Sequence, residues 1–138
     1  MNSPFFRVLK LGLIIMASMM LLGCGNSESK AYGLWMSTSQ YNGYAGTTIY
    51  YSVIELTKDT YKSNILDYTQ EHPVTYEKNG DRIIVKNIAS GQTHFVLQNI
   101  TGDSMTDVSG GSPTVYKKVT EKEVEEIKAE IKQSRRRR

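Results

Sequence analysis

Between Trp35 and Val119, short runs rich in β-branched and aromatic residues alternate with clusters of Gly, Asn, Asp and Ser. This rhythm limits the fold more than any other feature of the chain. Residues 32–37, 47–56, 60–66, 74–78, 82–87, 92–100, 104–108 and 114–119 read as strands. Between them, 40–46 and 67–73 read as loops, and Thr57-Lys58-Asp59, Ala89-Ser90-Gly91, Thr101-Gly102-Asp103 and Ser109 to Pro113 as turns or breakers. Asn79-Gly80 is a two-residue hairpin signal joining the fourth strand to the fifth. About eight short strands at roughly 8–12-residue spacing predict an antiparallel sandwich or barrel. Closure would also remove the exposed edges that invite aggregation. The expected fold is mainly β: a small antiparallel up-and-down β-barrel of about eight strands with a C-terminal α-helix.

That helix is predicted over 120–133. Thr120 and Glu123 form a capping-box pair, with Val119 and Val124 at the staple positions. Val124, Ile127 and Ile131 give a narrow apolar stripe for docking on the barrel. Glutamates crowd the first turns and Lys128 and Lys132 follow, which suits the helix dipole. Residues 134–138 end the chain as a basic, disordered tail, Ser134 followed by Arg135, Arg136, Arg137 and Arg138.

The other end of the chain sets the compartment. Met1 to Lys10 carries Arg7 and Lys10 and no acid, and Leu11 to Leu22 is apolar or small throughout. A basic start, a short apolar core and a small residue before the cut are the marks of a secretory signal peptide. The run is shorter than the ~20 residues a membrane-spanning helix needs. Its last residues, Leu21-Leu22-Gly23-Cys24, resemble the bacterial lipobox. That resemblance implies diacylglycerol on the Cys24 thiol, cleavage before Cys24 and acylation of the new amino group. Two or three acyl chains, at about 0.8 kcal/mol per buried CH₂, would anchor the protein stably. Gly25 stands where the family's inner-membrane retention signal has aspartate, so the resemblance implies the outer membrane, on its periplasmic face, in a cell with two membranes.

Residues 1–23 are therefore expected as signal peptide, 24–31 as a lipidated tether and 32–119 as one barrel domain. Cys24 is the only cysteine, so no disulfide can staple a domain of about 100 residues. The formal charge of +3 falls to +1 without Arg7 and Lys10, and to −3 when Arg135 to Arg138 are also set aside. A mildly acidic body without a basic, aromatic-interleaved stripe argues against nucleic acid as a partner.

Gly33-x-Trp35 opens the first strand, and Tyr76 to Val85, Phe95-Val96-Leu97, Gly102 to Met105 and Val115 to Val119 continue the rhythm. Over Gly33 to Val119 the chain resembles the lipocalin-like (calycin) small-barrel lipoproteins of bacteria. The resemblance implies a barrel plugged at one end by Trp35, with the helix packed after it.

Chemistry is sparse in this sequence. His72 and His94 are the only histidines, without the spacing of a zinc site. No Gly-x-Ser-x-Gly elbow frames a serine. Neither enzyme activity, nor a metal, nor a cofactor beyond covalent lipid on Cys24 is expected. Nine tyrosines offer more. Tyr41, Tyr44 and Tyr68 fall in expected loops, where amphipathic rings make binding anchors. Arg135, Arg136, Arg137 and Arg138 could contact an anionic surface, worth about 1 kcal/mol per Arg near such a membrane. The expectation is a membrane-anchored, non-enzymatic binding module for a protein or envelope component. Three alternatives are a lysozyme-type enzyme inhibitor, a carrier of small hydrophobic ligands and a structural part of an envelope assembly. For the first, Ser90-Gly91-Gln92-Thr93-His94-Phe95 is similar to the Ser-Gly-x-x-Tyr element of envelope lysozyme inhibitors.

Overall fold

The computed structural model describes residues 28–137. The expected signal peptide, Cys24 and Arg138 lie outside the described residues. Eight strands follow in order: β1 (Gly33–Gly43), β2 (Gly46–Leu56), β3 (Thr60–Ser63), β4 (Gln70–Asn79), β5 (Arg82–Asn87), β6 (Thr93–Gln98), β7 (Ser104–Asp107) and β8 (Thr114–Lys118). Each pairs antiparallel with the next, and β8 returns to β1, so the sheet closes into an up-and-down barrel. Strand number and order are consistent with a lipocalin-like barrel. Helix α1 (Glu121–Arg136) follows.

The barrel has two distinct ends. The chain enters β1 beside Trp35, and the β2–β3, β4–β5 and β6–β7 turns share that end. Trp35 is fully buried there, its indole Nε1 donating to the Ala31 carbonyl at 2.8 Å. Lys118 covers it from outside, with Nζ 5.2 Å from the ring centroid and donating to the Tyr32 carbonyl. Gly33, two residues before the tryptophan, holds φ +126, a backbone conformation that favours glycine, and a Cβ there would also displace the end of the Lys118 side chain.

Alternation along the strands fills the interior. Ile54 and Leu56, Ile83 and Val85, Phe95 and Leu97, with Val74, Met105 and Tyr116, form one buried cluster around Trp35. Eight strands make a barrel just wide enough for side chains to fill. Val53 points outward from β2 yet is buried, with the 64–69 loop against it, and Val124 of α1 is buried beside Leu34, Glu55 and Ile65.

The β4–β5 hairpin forms as the sequence predicts, one residue later: Asn79 pairs with Arg82 across Gly80-Asp81. Gly80, at φ +64, takes the first central position, as in a type II′ turn.

Other boundaries moved. The expected loop 40–46 is instead strand almost throughout. Thr38 pairs with Tyr51, Gln40 with Ile49 and Asn42 with Thr47, leaving only Tyr44-Ala45 between β1 and β2. Gln, Asn and Ser favour strand poorly, but a ladder against β-branched and aromatic neighbours outweighs that preference. Likewise β4 starts at Gln70, taking in His72 and Pro73 from the expected loop 67–73. Pro73 is tolerated because it sits past the end of β5, where its carbonyl accepts from Ile88 and no N–H is needed.

The capping box at Thr120 is present in both directions: Glu123 N–H donates to Thr120 Oγ1 at 3.3 Å, and Thr120 N–H to Glu123 Oε2 at 2.7 Å. Helix α1 then runs to Arg136, three residues past the expected end at Gln133. Arg135 and Arg136 are thus its last turn rather than a separate tail, since cations suit the negative end of the helix dipole.

Candidate functional site

β1 and β2 are each 11 residues long, about twice the length of most other strands. Their inner halves build the barrel wall; β8 pairs with β1 only at Trp35 and Met36, and β3 with β2 only at Glu55 and Leu56. The rest of the hairpin projects beyond the barrel. Its composition is unusual: Gly33 to Ile54 contains no charged residue in a chain that is 22% charged. The projecting part exposes Tyr41, Tyr44, Ile49 and Tyr50, at 64%, 115%, 46% and 57%. Direct register partners share a face of the ladder, so Tyr41 and Tyr50 lie on the face that continues the barrel interior, whereas Ile49 and Tyr51 lie on the outer face.

The structure gathers the sequence candidates at this hairpin end. Tyr44 is at the hairpin tip, and Tyr68 is exposed in the 64–69 loop. Tyr41 is a strand residue rather than a loop residue, its ring lying close over Gly43. Helix α1 starts beside Leu34 and Glu55 near the Trp35 end and finishes beside Thr48 to Tyr51. Arg135, Arg136 and Arg137 therefore reach the hairpin end too. Arg135 Nη1 lies 3.6 Å from Asp67 Oδ1, tying the helix end to the 64–69 loop. A groove of about 550 Å³ runs between them, with Ile49, Tyr51, Leu66 and Ile131 on its walls. Cys24 and Arg138 are outside the described residues.

Ile49 and Tyr50 lie in the strand expected over 47–56 and are surface residues there. The signal that marks them is the uncharged stretch: a projecting strand that will face water ordinarily carries charge.

The barrel mouth at the same end holds an aromatic cluster that spacing alone did not reveal. His72 and His94 lie on β4 and β6, two strands apart, yet their rings are 5.2 Å apart between centroids. A register shift at β5–β6, where Val85 faces Phe95 but Lys86 faces Thr93, inserts His94 as an extra residue and turns it inward. Tyr61 stacks on His72 at 5.5 Å and meets Phe95 edge-on at 4.8 Å. Burial, reinforced by the neighbouring His72, holds the His94 imidazole below its usual range. Burial raises the Tyr61 and Tyr116 phenols, partly offset by the Ser63 and Ser37 hydroxyls. Among the described residues no three His, Cys, Asp or Glu side chains converge as a metal-binding group. The cluster packs and orients the mouth.

No family model matches this chain, and no curated protein or solved structure matches it either.

Proposed function

We propose that this protein is an envelope lipoprotein, anchored by lipid on Cys24, whose barrel is a non-enzymatic interaction module. It engages a protein or envelope component through its hairpin end. The observation that carries this reading is the uncharged β1–β2 hairpin with Tyr41, Tyr44, Ile49 and Tyr50 exposed. An exposed aromatic strand pair is costly in solution and favours association unless a partner covers it. The side-chain-filled interior supports surface engagement over ligand carriage. The position of the anchor in the sequence fits as well: Cys24 precedes Glu28 by four residues, and the described chain begins at the Trp35 end, so the tyrosines and arginines would face away from the anchoring membrane. On this reading Arg135 to Arg138 contact the partner rather than the anchoring bilayer.

Photo-crosslinking in cells tests it. A crosslinker at Tyr44 should capture a discrete partner, whereas one at Lys58, in the turn at the Trp35 end, should not. Tyr41→Ala and Tyr44→Ala together should lower recovery about tenfold or more, as expected on losing anchors worth ~1.4 kcal/mol or more. Equal capture from both ends, or none from Tyr44, defeats the reading.

Inhibition of a lysozyme-type enzyme is a second reading. The Ser90-Gly91 turn lies at the same end and is held out rigidly, Asn87 Oδ1 accepting from the Ala89 and Ser90 N–H groups. Full lysozyme activity at micromolar protein removes it.

A further inference from the structure

We propose that the seam between β1 and β8 takes an extended polypeptide segment of the partner as an added strand. The inference rests on the interaction-module reading and names the chemistry of the partner.

The hydrogen-bonding parity of the seam can be read from one bond. Val119 N–H donates to the Leu34 carbonyl, so even-numbered residues of β1 direct their backbone groups toward β8. Odd-numbered residues of β1 face β2. Continued along the unbroken β1–β2 ladder, this parity aims the N–H and C=O of Thr38, Gln40 and Asn42 away from β2. β8 pairs with β1 at Met36 and then diverges, so it does not meet them. On the other flank, Lys117 pairs with Met36, and Val115, two residues earlier, aims its backbone groups into the same gap. The result is a wedge of about 710 Å³, bounded by Met36 to Ser39 on one side and Pro113 to Lys117 on the other.

Exposed edges are normally blunted by Lys, Pro or a bulge. β1 has none of these from Ser37 to Gly43. The β2 edge is covered in part, where the 64–69 loop lies against Tyr51 to Val53 and Ile65 N–H reaches the Val53 carbonyl. Among the described residues, the β1 edge is the one that borders the gap to β8. From Thr38 to Asn42 it would pair with about 17 Å of extended chain.

The shape of the wedge selects the occupant. Its strands start hydrogen-bonded at Trp35–Lys118 and Met36–Lys117 and separate from there. A single extended chain can enter that angle and bond to both flanks. A second copy cannot bring its own β1 edge to the foot of the wedge, because β2 and its barrel come with it. Side chains of the added strand would alternate between Tyr41 and Tyr116 on the inner face and Val115, 57% exposed, on the outer. Lys117 at the foot favours an acidic residue at that end of the segment. The fitting partner is an alternating, largely apolar segment with an acid at one terminus.

The probe is a displayed library of random twelve-residue peptides, selected on the full chain in detergent and compared on Gln40→Pro. Proline at position 40 removes an outward N–H while sparing the β1–β2 ladder. Enriched peptides should lose at least tenfold in affinity on Gln40→Pro. At about ten times its Kd, such a peptide should slow amide exchange at Thr38, Gln40, Asn42 and Val115 about tenfold. Ser39 and Tyr41, already bonded to β2, should exchange as before. Because Gln40→Pro could disturb the hairpin, exchange at Ser39 and Tyr41 is also measured in that variant, and Thr38→Pro serves as the second variant. Peptides that bind wild type and both proline variants equally overturn strand addition while leaving a tyrosine-based interaction surface standing. An edge already protected in the free protein, with a dimeric mass by sedimentation, overturns it in favour of a second copy. Absence of any enriched peptide overturns it as well, and only a simultaneous failure of crosslinking at Tyr44 would remove the interaction module too.

Discussion

Trp35 carries more of this fold than any other side chain. It is fully buried, its one polar atom is satisfied by Ala31, and the interior cluster surrounds it. Trp35→Ala should cost about 3–5 kcal/mol in urea unfolding, enough to unfold much of a domain this small. Trp35→Phe keeps most of the packing and loses the indole hydrogen bond, so about 1 kcal/mol plus a modest cavity term is expected. Gly33→Ala should also destabilise, by on the order of 1–3 kcal/mol, because φ +126 is strained for any residue with a Cβ. His94 sets a pH dependence whose sign is fixed. Its pKa is lower folded than unfolded, so the native state binds fewer protons there. Its stabilising contribution is complete above the unfolded value near 6.5 and is lost as pH falls through the folded value. Thermal melts should therefore drop below about pH 6.5, and His72→Gln should move the His94 proton titration upward by NMR. Unchanged titration of His94 in that variant would show that the two rings do not sense each other.

At the scale of elements, helix α1 is lightly secured to the barrel. It buries only Val124 fully, and its salt bridges, such as Lys128–Glu125 at 2.8 Å, are exposed. Exposed pairs of this sort contribute little, about 0.2–1 kcal/mol. The Arg135–Asp67 pair is longer and equally exposed, so Asp67→Asn should change global stability by less than ~1 kcal/mol. What holds the helix start is the capping box. Thr120→Ala should cost about 1 kcal/mol and speed amide exchange through the first turn while sparing the barrel strands. The Glu123 carboxyl is held below its usual range by the Thr120 N–H and hydroxyl, so its contribution is present above that range and fades as pH falls through it. The β1–β2 hairpin behaves differently. It is bonded along its whole length, and its weakness is exposure rather than loss of pairing.

At the scale of the whole molecule, the arrangement separates the end where the described chain begins from the end that gathers the exposed tyrosines. The chain enters at the end stoppered by Trp35, and α1 runs outward along the wall, antiparallel to β2. Sixteen helical residues span about 24 Å. That carries Arg135 to Arg137 to the end where Tyr41, Tyr44 and Tyr68 lie. If Cys24 is lipidated, spin labels on anchored protein should show Lys30→Cys close to the bilayer and Ala45→Cys freely accessible to a water-soluble relaxant. Equal accessibility at the two sites would mean that the barrel lies flat on the membrane. Globomycin should block maturation, and Cys24→Ser should release the protein from the membrane fraction.

Much of this was legible in the residues. Hydrophobic alternation and turn chemistry give eight antiparallel strands, and Thr120-x-x-Glu123 marks the helix start, because these depend on neighbours within a few positions. The uncharged stretch from Gly33 to Ile54 was there to be read as well. What it would become was not. Whether Ser37 to Gly43 is loop or strand depends on its pairing with Thr47 to Ser52, and whether Tyr50 is covered depends on where β3 stops. The meeting of His72 and His94 depends on a bulge between strands two places apart, and the open seam on where β8 diverges from β1. The sequence by itself determined the strands and the cap, through local sterics and periodicity, while the stoppering role of Trp35 was what the lipocalin-like resemblance implied. Tertiary structure alone decided which edge stays unpaired and which end gathers the tyrosines and arginines, because strand register and barrel closure are set by contacts between segments far apart in the chain.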